Sequence, residues 1–124
     1  MHAFKNCYSL ASIDIPSGVV DIGPAAFVDC TSLVSARIPE SLNKIVGLLF
    51  CGCESLTSVN IPNSIIEIEE SAFENCKALT SIELPSSVKK IHKNAFKGCW
   101  NLTVSCPLFS YARKYCRENG LKRK

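Results

Sequence analysis

Eight cysteines and two histidines are the side chains of this 124-residue chain best equipped for chemistry. Thiolates and imidazoles bind metals, thiols pair into disulfides, and a thiol beside an imidazole is a nucleophile with its base. Spacing decides among these. Cys7, Cys30, Cys53, Cys76 and Cys99 recur every 23 residues, so they occupy one repeat position and stack as a column, one per coil. Stacked coils lie about 4.8 Å apart, within reach of a disulfide, yet equivalent side chains on parallel coils point the same way instead of at each other. Free, buried thiols packing as small hydrophobes are expected. A zinc site would call for paired ligands, but no Cys-x-x-Cys pair occurs and the histidines are His2 and His92. Cys51 and His92 stand about two coils apart, which puts their backbones roughly 10 Å from each other before any lateral offset. That is too far for a nucleophile and its base. No Gly-rich phosphate loop, Gly-x-Ser-x-Gly elbow or His-Glu-x-x-His appears. The reading is of a non-enzymatic chain with no cofactor and no metal. Near the C-terminus, Cys106 and Cys116 could pair or remain as thiols.

What remains is recognition. In Leu10-Ala11-Ser12-Ile13-Asp14-Ile15, Ile13 and Ile15 share one face and Ser12 and Asp14 the other, the period of two of a half-buried strand. Repetition turns the outer positions into rows running along the molecule. Ser12, Ser35, Ser58 and Ser81 form a uniform row, whose small hydroxyls relieve crowding on a concave sheet and can bond to one another. Asp14, Arg37, Asn60 and Glu83 form a row that differs in every coil, and this is the candidate surface for reading a protein partner. Asp14 and Arg37 are also placed to pair with each other, worth little at an exposed site. A second candidate is the apolar departure around Val46-Gly47-Leu48-Leu49, with Ile66 on the next coil. Leu49 stands where other copies have Ala, which enlarges the core locally. Val46, Leu48 and Ile66 are the candidate apolar contact patch.

The element that positions these rows is one unit, Ala-Phe-x-x-Cys-x-x-Leu-x-x-Ile-x-Ile-Pro-x-x-Val-x-x-Ile, repeating at 23 residues with Phe4, Phe27, Phe50, Phe73 and Phe96 in register. A fixed period in this range specifies a solenoid whose coils share one core. Its strands are short and parallel, ended by Pro16, Pro39, Pro62 and Pro85, which lack an N–H donor. The Val-x-x-Ile step adds a second short strand on the convex side, Ala-Phe-x-x-Cys takes a single helical turn, and the Phe column forms the spine. After Leu102 the repeat is expected to fail, with Ser105, Pro107, Leu108, Tyr111 and Lys114 where Ile, Ile, Pro, Val and Ile would continue it. An amphipathic helix follows from Leu108 towards Gly120, with Leu108, Tyr111, Ala112, Tyr115 and Cys116 on one stripe and Pro107 in its first turn. It is read as a cap over the last core layer. The chain thus divides into a solenoid at 1–106, its first coil incomplete, and a capping helix with a basic tail at 107–124.

The net charge of +3 conceals a polarity. Residues 1–76 carry three Lys or Arg against nine carboxylates, a balance of −6, and residues 77–124 carry eleven against two, a balance of +9. Because sequence position maps onto position along a solenoid, the molecule has an acidic and a basic end, which suggests head-to-tail self-association or attraction to an anionic surface. The basic run Lys89, Lys90, Lys93 and Lys97 lacks interleaved aromatic platforms beyond Trp100, so a nucleic-acid partner is not expected. No apolar run approaches the roughly 18 residues of a membrane span. The start has no signal segment and opens inside a repeat, as a fragment would.

Ala95-Phe96-x-x-Cys99-x-x-Leu102, preceded by Leu79-Thr80-Ser81-Ile82-Glu83-Leu84-Pro85-Ser86-Ser87-Val88-Lys89-Lys90-Ile91, closely resembles the BspA-like leucine-rich repeats of bacterial and protist surface proteins. The resemblance covers residues 3–104. The tail, Ser110-Tyr111-Ala112 through Tyr115-Cys116 to Asn119-Gly120, is similar to the Ser-Tyr-Ala…Tyr-Ala…Asn-Gly ending of bacterial members. The resemblance implies an α/β solenoid, a right-handed leucine-rich repeat superhelix. It also implies a non-enzymatic module at the cell surface or secreted, associated with adhesion to host proteins or other cells. It brings no catalytic residues to carry over, and this chain departs from it in lacking a signal segment or anchor. The alternative function is a structural spacer within a larger surface protein.

Overall fold

The structure, a computed structural model, describes residues 9–107 and 110–123; the expectations for His2, Phe4, Cys7 and Leu108 fall outside them. In chain order the elements are β1 (Ser12–Asp14), β2 (Ser35–Arg37), β3 (Lys44–Ile45), β4 (Ser58–Val59), β5 (Glu67–Ile68), β6 (Ser81–Glu83), β7 (Lys90–Ile91), β8 (Thr103–Ser105), α1 (Tyr111–Glu118) and β9 (Lys122–Arg123). All the pairings are parallel, and those among β1 to β5 and β7 keep the 23-residue register that the repeat implies. Ser12 faces Ser35 and Asp14 faces Arg37 in the first front pair, and Ser35 faces Ser58 in the next. On the opposite side Lys44, Glu67 and Lys90 follow one another across β3, β5 and β7. The front ladder is not continuous. It divides into β1-β2-β4 and β6-β8-β9, and no backbone pairing joins β4 to β6 among the described residues.

Between the two faces lies one apolar core filled by equivalent residues of successive coils. Phe27, Phe50, Phe73 and Phe96 stack along the axis, with ring centroids 5.8, 5.5 and 5.3 Å apart and planes within 21° of parallel. Offset stacking at this spacing satisfies both packing and the ring quadrupoles. Cys30, Cys53, Cys76 and Cys99 form a parallel column of buried thiols. Each of the last three donates its S–H to a carbonyl of the preceding coil, Cys53 to Phe27 at 3.2 Å, Cys76 to Phe50 at 3.2 Å and Cys99 to Phe73 at 3.1 Å. A small apolar residue with one weak donor is what this corner accommodates.

The corner itself corrects the expected helical turn. Tight turns replace it, with Ala25, Asp29, Leu48, Gly52, Ser71, Asn75 and Gly98 in the left-handed region. Alternating backbone hands turn every second N–H group along the axis, so Phe27, Asp29, Phe50, Gly52, Phe73 and Asn75 each donate to a carbonyl of the following coil. At one corner position Asp29, Gly52, Asn75 and Gly98 alternate for a steric reason as well. A side chain on Gly52 would collide with the Asp29 carboxylate, and one on Gly98 with the Asn75 amide.

A second correction concerns the last coil. The repeat does not fail after Leu102. β8 pairs with β6 so that Ile82 faces Val104 and Glu83 faces Ser105. The step is one residue shorter than the period, which puts Cys106 and Pro107 in the places of Leu84 and Pro85. Pro107 therefore ends a coil instead of opening the helix. α1 starts at Ser110, whose Oγ accepts from the Arg113 N–H at 3.1 Å, and Gly120 in the left-handed region follows its end. Ala112, Tyr115 and Cys116 of α1 are buried. The Tyr115 hydroxyl donates to the carbonyls of His92 (2.8 Å) and Lys93 (3.1 Å), and the Ile91 N–H donates to the Tyr111 hydroxyl at 3.4 Å. Tyr111 thus meets the edge of β7, and Tyr115 ties α1 to the turn that follows it. The chain then returns as β9, beside β8, a strand the tail's composition does not announce.

Candidate functional site

The front sheet carries the rows named from the sequence. Asp14, Arg37, Asn60 and Glu83 are all exposed, as are Ser12, Ser58 and Ser81, while Ser35 is half-buried. Alternation puts Ile13, Ala36, Val59 and Ile82 on the other side, against the core. Asp14 and Arg37 are register neighbours, but among the described residues no ion pair joins them. Both charges stay available at the surface.

Asn60 behaves differently. Its amide oxygen accepts from the Ile38 N–H at 2.8 Å and its amide nitrogen donates to the Ile38 carbonyl at 3.0 Å. The side chain thus brackets the end of β2, standing in for a backbone strand there. Where the Asn60 amide leans towards β2, the ladder from β4 to β6 is missing. The row therefore presents three unengaged readers, Asp14, Arg37 and Glu83, and one structural asparagine.

A groove of about 900 Å³ runs beside the row, lined by Asp14, Arg37, Asn60 and the ridge of Pro16, Pro39 and Pro62. Glu40 and Asn63, just past the prolines, extend it; their signal was the polar residue that follows each strand-ending proline. A second groove of about 500 Å³ lies over the gap in the ladder, between Ser58 and Ser81, with Glu83 and Thr103 on its wall.

The apolar candidates are not gathered into one surface. Val46 is half-buried and packs on the core, whereas Leu48 is 41% and Ile66 50% exposed. The ladder aligns Ile45 with Ile68, so Ile66 lies beside Asn43 and Val46 beside Glu69. Two residues of strand separate them.

Cys99 is shifted down by its hydrogen bond with Cys76, and it is buried in the core where no substrate reaches it. Burial pushes Cys53 up to about 12, a hydrogen bond with Cys99 and then burial push Cys76 up, and burial, Glu74 and Asp29 push Cys51 up. A nucleophilic thiol requires the opposite shift. His92 is on the back face, its Nε2 2.9 Å from Glu67 Oε2, and Cys51 is at the corner. Cys106 and Cys116 are both free; burial raises Cys116 to about 11.

Short parallel strands on two faces, joined by turns and filled by one Phe, Cys and Leu per coil, define a leucine-rich repeat solenoid. The BspA type leucine rich repeat region matches in six copies over residues 1–112, and the chain belongs to that family. It is similar in structure to a leucine rich cell surface protein of Faecalibacterium prausnitzii A2-165, with a TM-score of 0.84 and 37% identity over 91% of this chain and 30% of that one. A leucine-rich repeat protein of Bacteroides ovatus superposes with a TM-score of 0.67 at 27% identity, over 85% of this chain and 33% of that one. The leucine rich repeat protein of T. pallidum also gives 0.67 at 27% identity, over 92% and 68%. This chain spans about a third of the length of the first two. No curated protein matches it. Among the described residues no helix is long and apolar enough to cross a membrane.

Proposed function

We propose that the chain is a non-enzymatic protein-binding module of a cell-surface or secreted adhesin, and that it engages a host or cell-surface protein through its front sheet. The observation that carries this is the row Asp14, Arg37 and Glu83: exposed, unpaired, and different in charge from coil to coil. The Phe, Cys and Leu columns behind it do not vary. A scaffold that is constant inside and varied along one outer row is suited to reading a partner by complementary charge. The similarity to a cell surface protein supports the location.

In this reading the coils wind as a right-handed superhelix with the front sheet concave, residues 1–106 are the solenoid, and 107–124 close its end. The hydroxyl of Tyr111 and the pairing of β9 support the closure, because they occupy edges that would otherwise be open to another strand. Val46, Leu48 and Ile66 are secondary, as separate apolar contacts and not one patch, and head-to-tail self-association follows from the opposed charges of the two ends. A binding screen against extracellular-matrix and cell-surface proteins, at two salt concentrations, tests the proposal. The variant to run alongside is Asp14→Ala, Arg37→Ala, Glu83→Ala, which spares the Asn60 bracket. Saturable binding that the variant loses supports it. No binding by the folded chain would favour the spacer.

A further inference from the structure

The front row uses none of the strongest charge on the molecule, which lies on its back face and C-terminal end. Lys89, Lys90, Lys93 and Lys97 are all exposed on one coil, and α1, which packs beside β7, adds exposed Lys114 and Arg117. Lys122 and Arg123 of β9, also exposed, lie against the same helix. None of these eight makes an ion pair among the described residues. Like charges so close repel, and a ligand that neutralises them is attracted by that repulsion.

The coil directly before this band is acidic. Glu67 is the ladder partner of Lys90, and Glu70 and Glu74 stand one period before Lys93 and Lys97. The basic surface is therefore a narrow band with an acidic border. A flat anionic bilayer laid on this face would meet both, and the apolar face of α1 that could enter a membrane is already buried, through Ala112, Tyr115 and Cys116. A nucleic-acid single strand requires aromatic platforms. Tyr115 is buried and its hydroxyl is bonded to the solenoid, which leaves Trp100, 76% exposed, as the one large aromatic standing out at this end among the described residues. A linear polymer can follow a band of this width. Lysine ammoniums, compact point charges on flexible stems, adapt to sulfates along such a chain without the fixed fork that arginine offers to phosphate.

We propose that the band formed by Lys89, Lys90, Lys93 and Lys97 with Lys114 and Arg117 of α1 is a second binding surface, and that it takes a linear sulfated polysaccharide. It is separate from the front row, so one molecule can hold a protein partner and a glycan chain together.

Heparin serves as the probe, measured by titration calorimetry on the full chain, with neutral dextran, vesicles containing anionic lipid, and single-stranded DNA as the other arms. Saturable heparin binding is expected, weakening by at least about tenfold between about 50 and 200 mM salt as counterions compete. Lys90→Ala, Lys93→Ala, Lys97→Ala should bind at least about tenfold more weakly, while the front variant and Lys44→Ala keep their affinity. Circular dichroism establishes that the variants are folded. Should the triple-lysine variant unfold, Lys114→Ala, Arg117→Ala on the outer side of α1 carries the same test. The inference is overturned if these variants bind heparin like the parent chain, if heparin binds no better than dextran, or if vesicles or DNA bind as tightly as heparin.

Discussion

Replacing Phe73 by alanine removes the middle of the spine. The ring is fully buried and stacks on both sides, 5.5 Å from Phe50 and 5.3 Å from Phe96. A Phe→Ala change in a packed core costs about 3–5 kcal/mol, from lost transfer free energy and the cavity left behind. Two aromatic contacts, each worth about 0.5–1.5 kcal/mol beyond area burial, disappear with it, which puts Phe73 in the upper part of that range. The coils on either side are held by corner hydrogen bonds from Phe50 to Ala72 and from Phe73 to Ala95, so they cannot slide together to close the gap. Against a total stability of about 5–15 kcal/mol for a domain, this is a large share. Phe96 is the internal comparison, since among the described rings it ends the stack, on Phe73 at 5.3 Å, and Phe96→Ala should cost less. Urea unfolding followed by circular dichroism gives both values. A loss below about 1 kcal/mol for Phe73→Ala would refute the buried spine.

Four further outcomes are expected. Tyr115→Phe, which keeps the ring but leaves the His92 and Lys93 carbonyls without its hydroxyl, should cost about 1–2 kcal/mol in the same unfolding measurement. Asn60→Ala should destabilise by a similar amount, about 1–2 kcal/mol, by undoing the bracket on Ile38, whereas Asp14→Ala and Glu83→Ala should stay within about 0.5 kcal/mol. Removing residues 108–124 should expose the β7 and β8 edges and cause aggregation, read by light scattering; a soluble monomer would show that the helix and β9 do not protect them. Stability should also fall at high pH. Cys53 ionises near its ordinary 9.0 in the unfolded chain but is held protonated to about 12 when folded, so its contribution is complete below pH 9 and is lost as pH rises towards 12. Melting temperatures that do not decline over that window, or that decline equally in Cys53→Ala, would contradict it.

Much of this fold is legible in the residues because a repeat shows every position several times over. Phe27, Phe50, Phe73 and Phe96 at one spacing can only stack, and the Ile-x-Ile pattern ahead of each proline specifies both strand and face. What escapes is whatever depends on a single copy. The last coil is shorter by one residue, and counting at a fixed 23 hides Val104, Cys106 and Pro107 in the places of Ile82, Leu84 and Pro85. The local run Leu102-x-Val104-x-Cys106-Pro107 carried that signal. At the corners, Asp29, Gly52, Asn75 and Gly98 are residues that tolerate the left-handed conformation, and they argue against a helical turn that apolar spacing alone favours. The front row was legible as an exposed, varied row, because alternation sets which face each residue takes. The separate part played by Asn60 was not, since whether an amide reaches the neighbouring strand depends on how far apart the strands sit. Nor was the dispersal of the apolar candidates, since Val46 and Ile66 lie two strand residues apart once the back ladder is aligned.

The central claim is that the front row reads a protein partner, and a paired titration tests it most directly. The affinity of the chain for a partner found in the screen is compared with that of Asp14→Ala, Arg37→Ala, Glu83→Ala on the front and of Ile66→Ser on the back. The front variant should lose at least about tenfold, or about 1.4 kcal/mol, and the back variant should bind as the parent chain does. Binding that survives the front variant and is lost with Ile66→Ser would contradict the claim and move the site to the apolar back face.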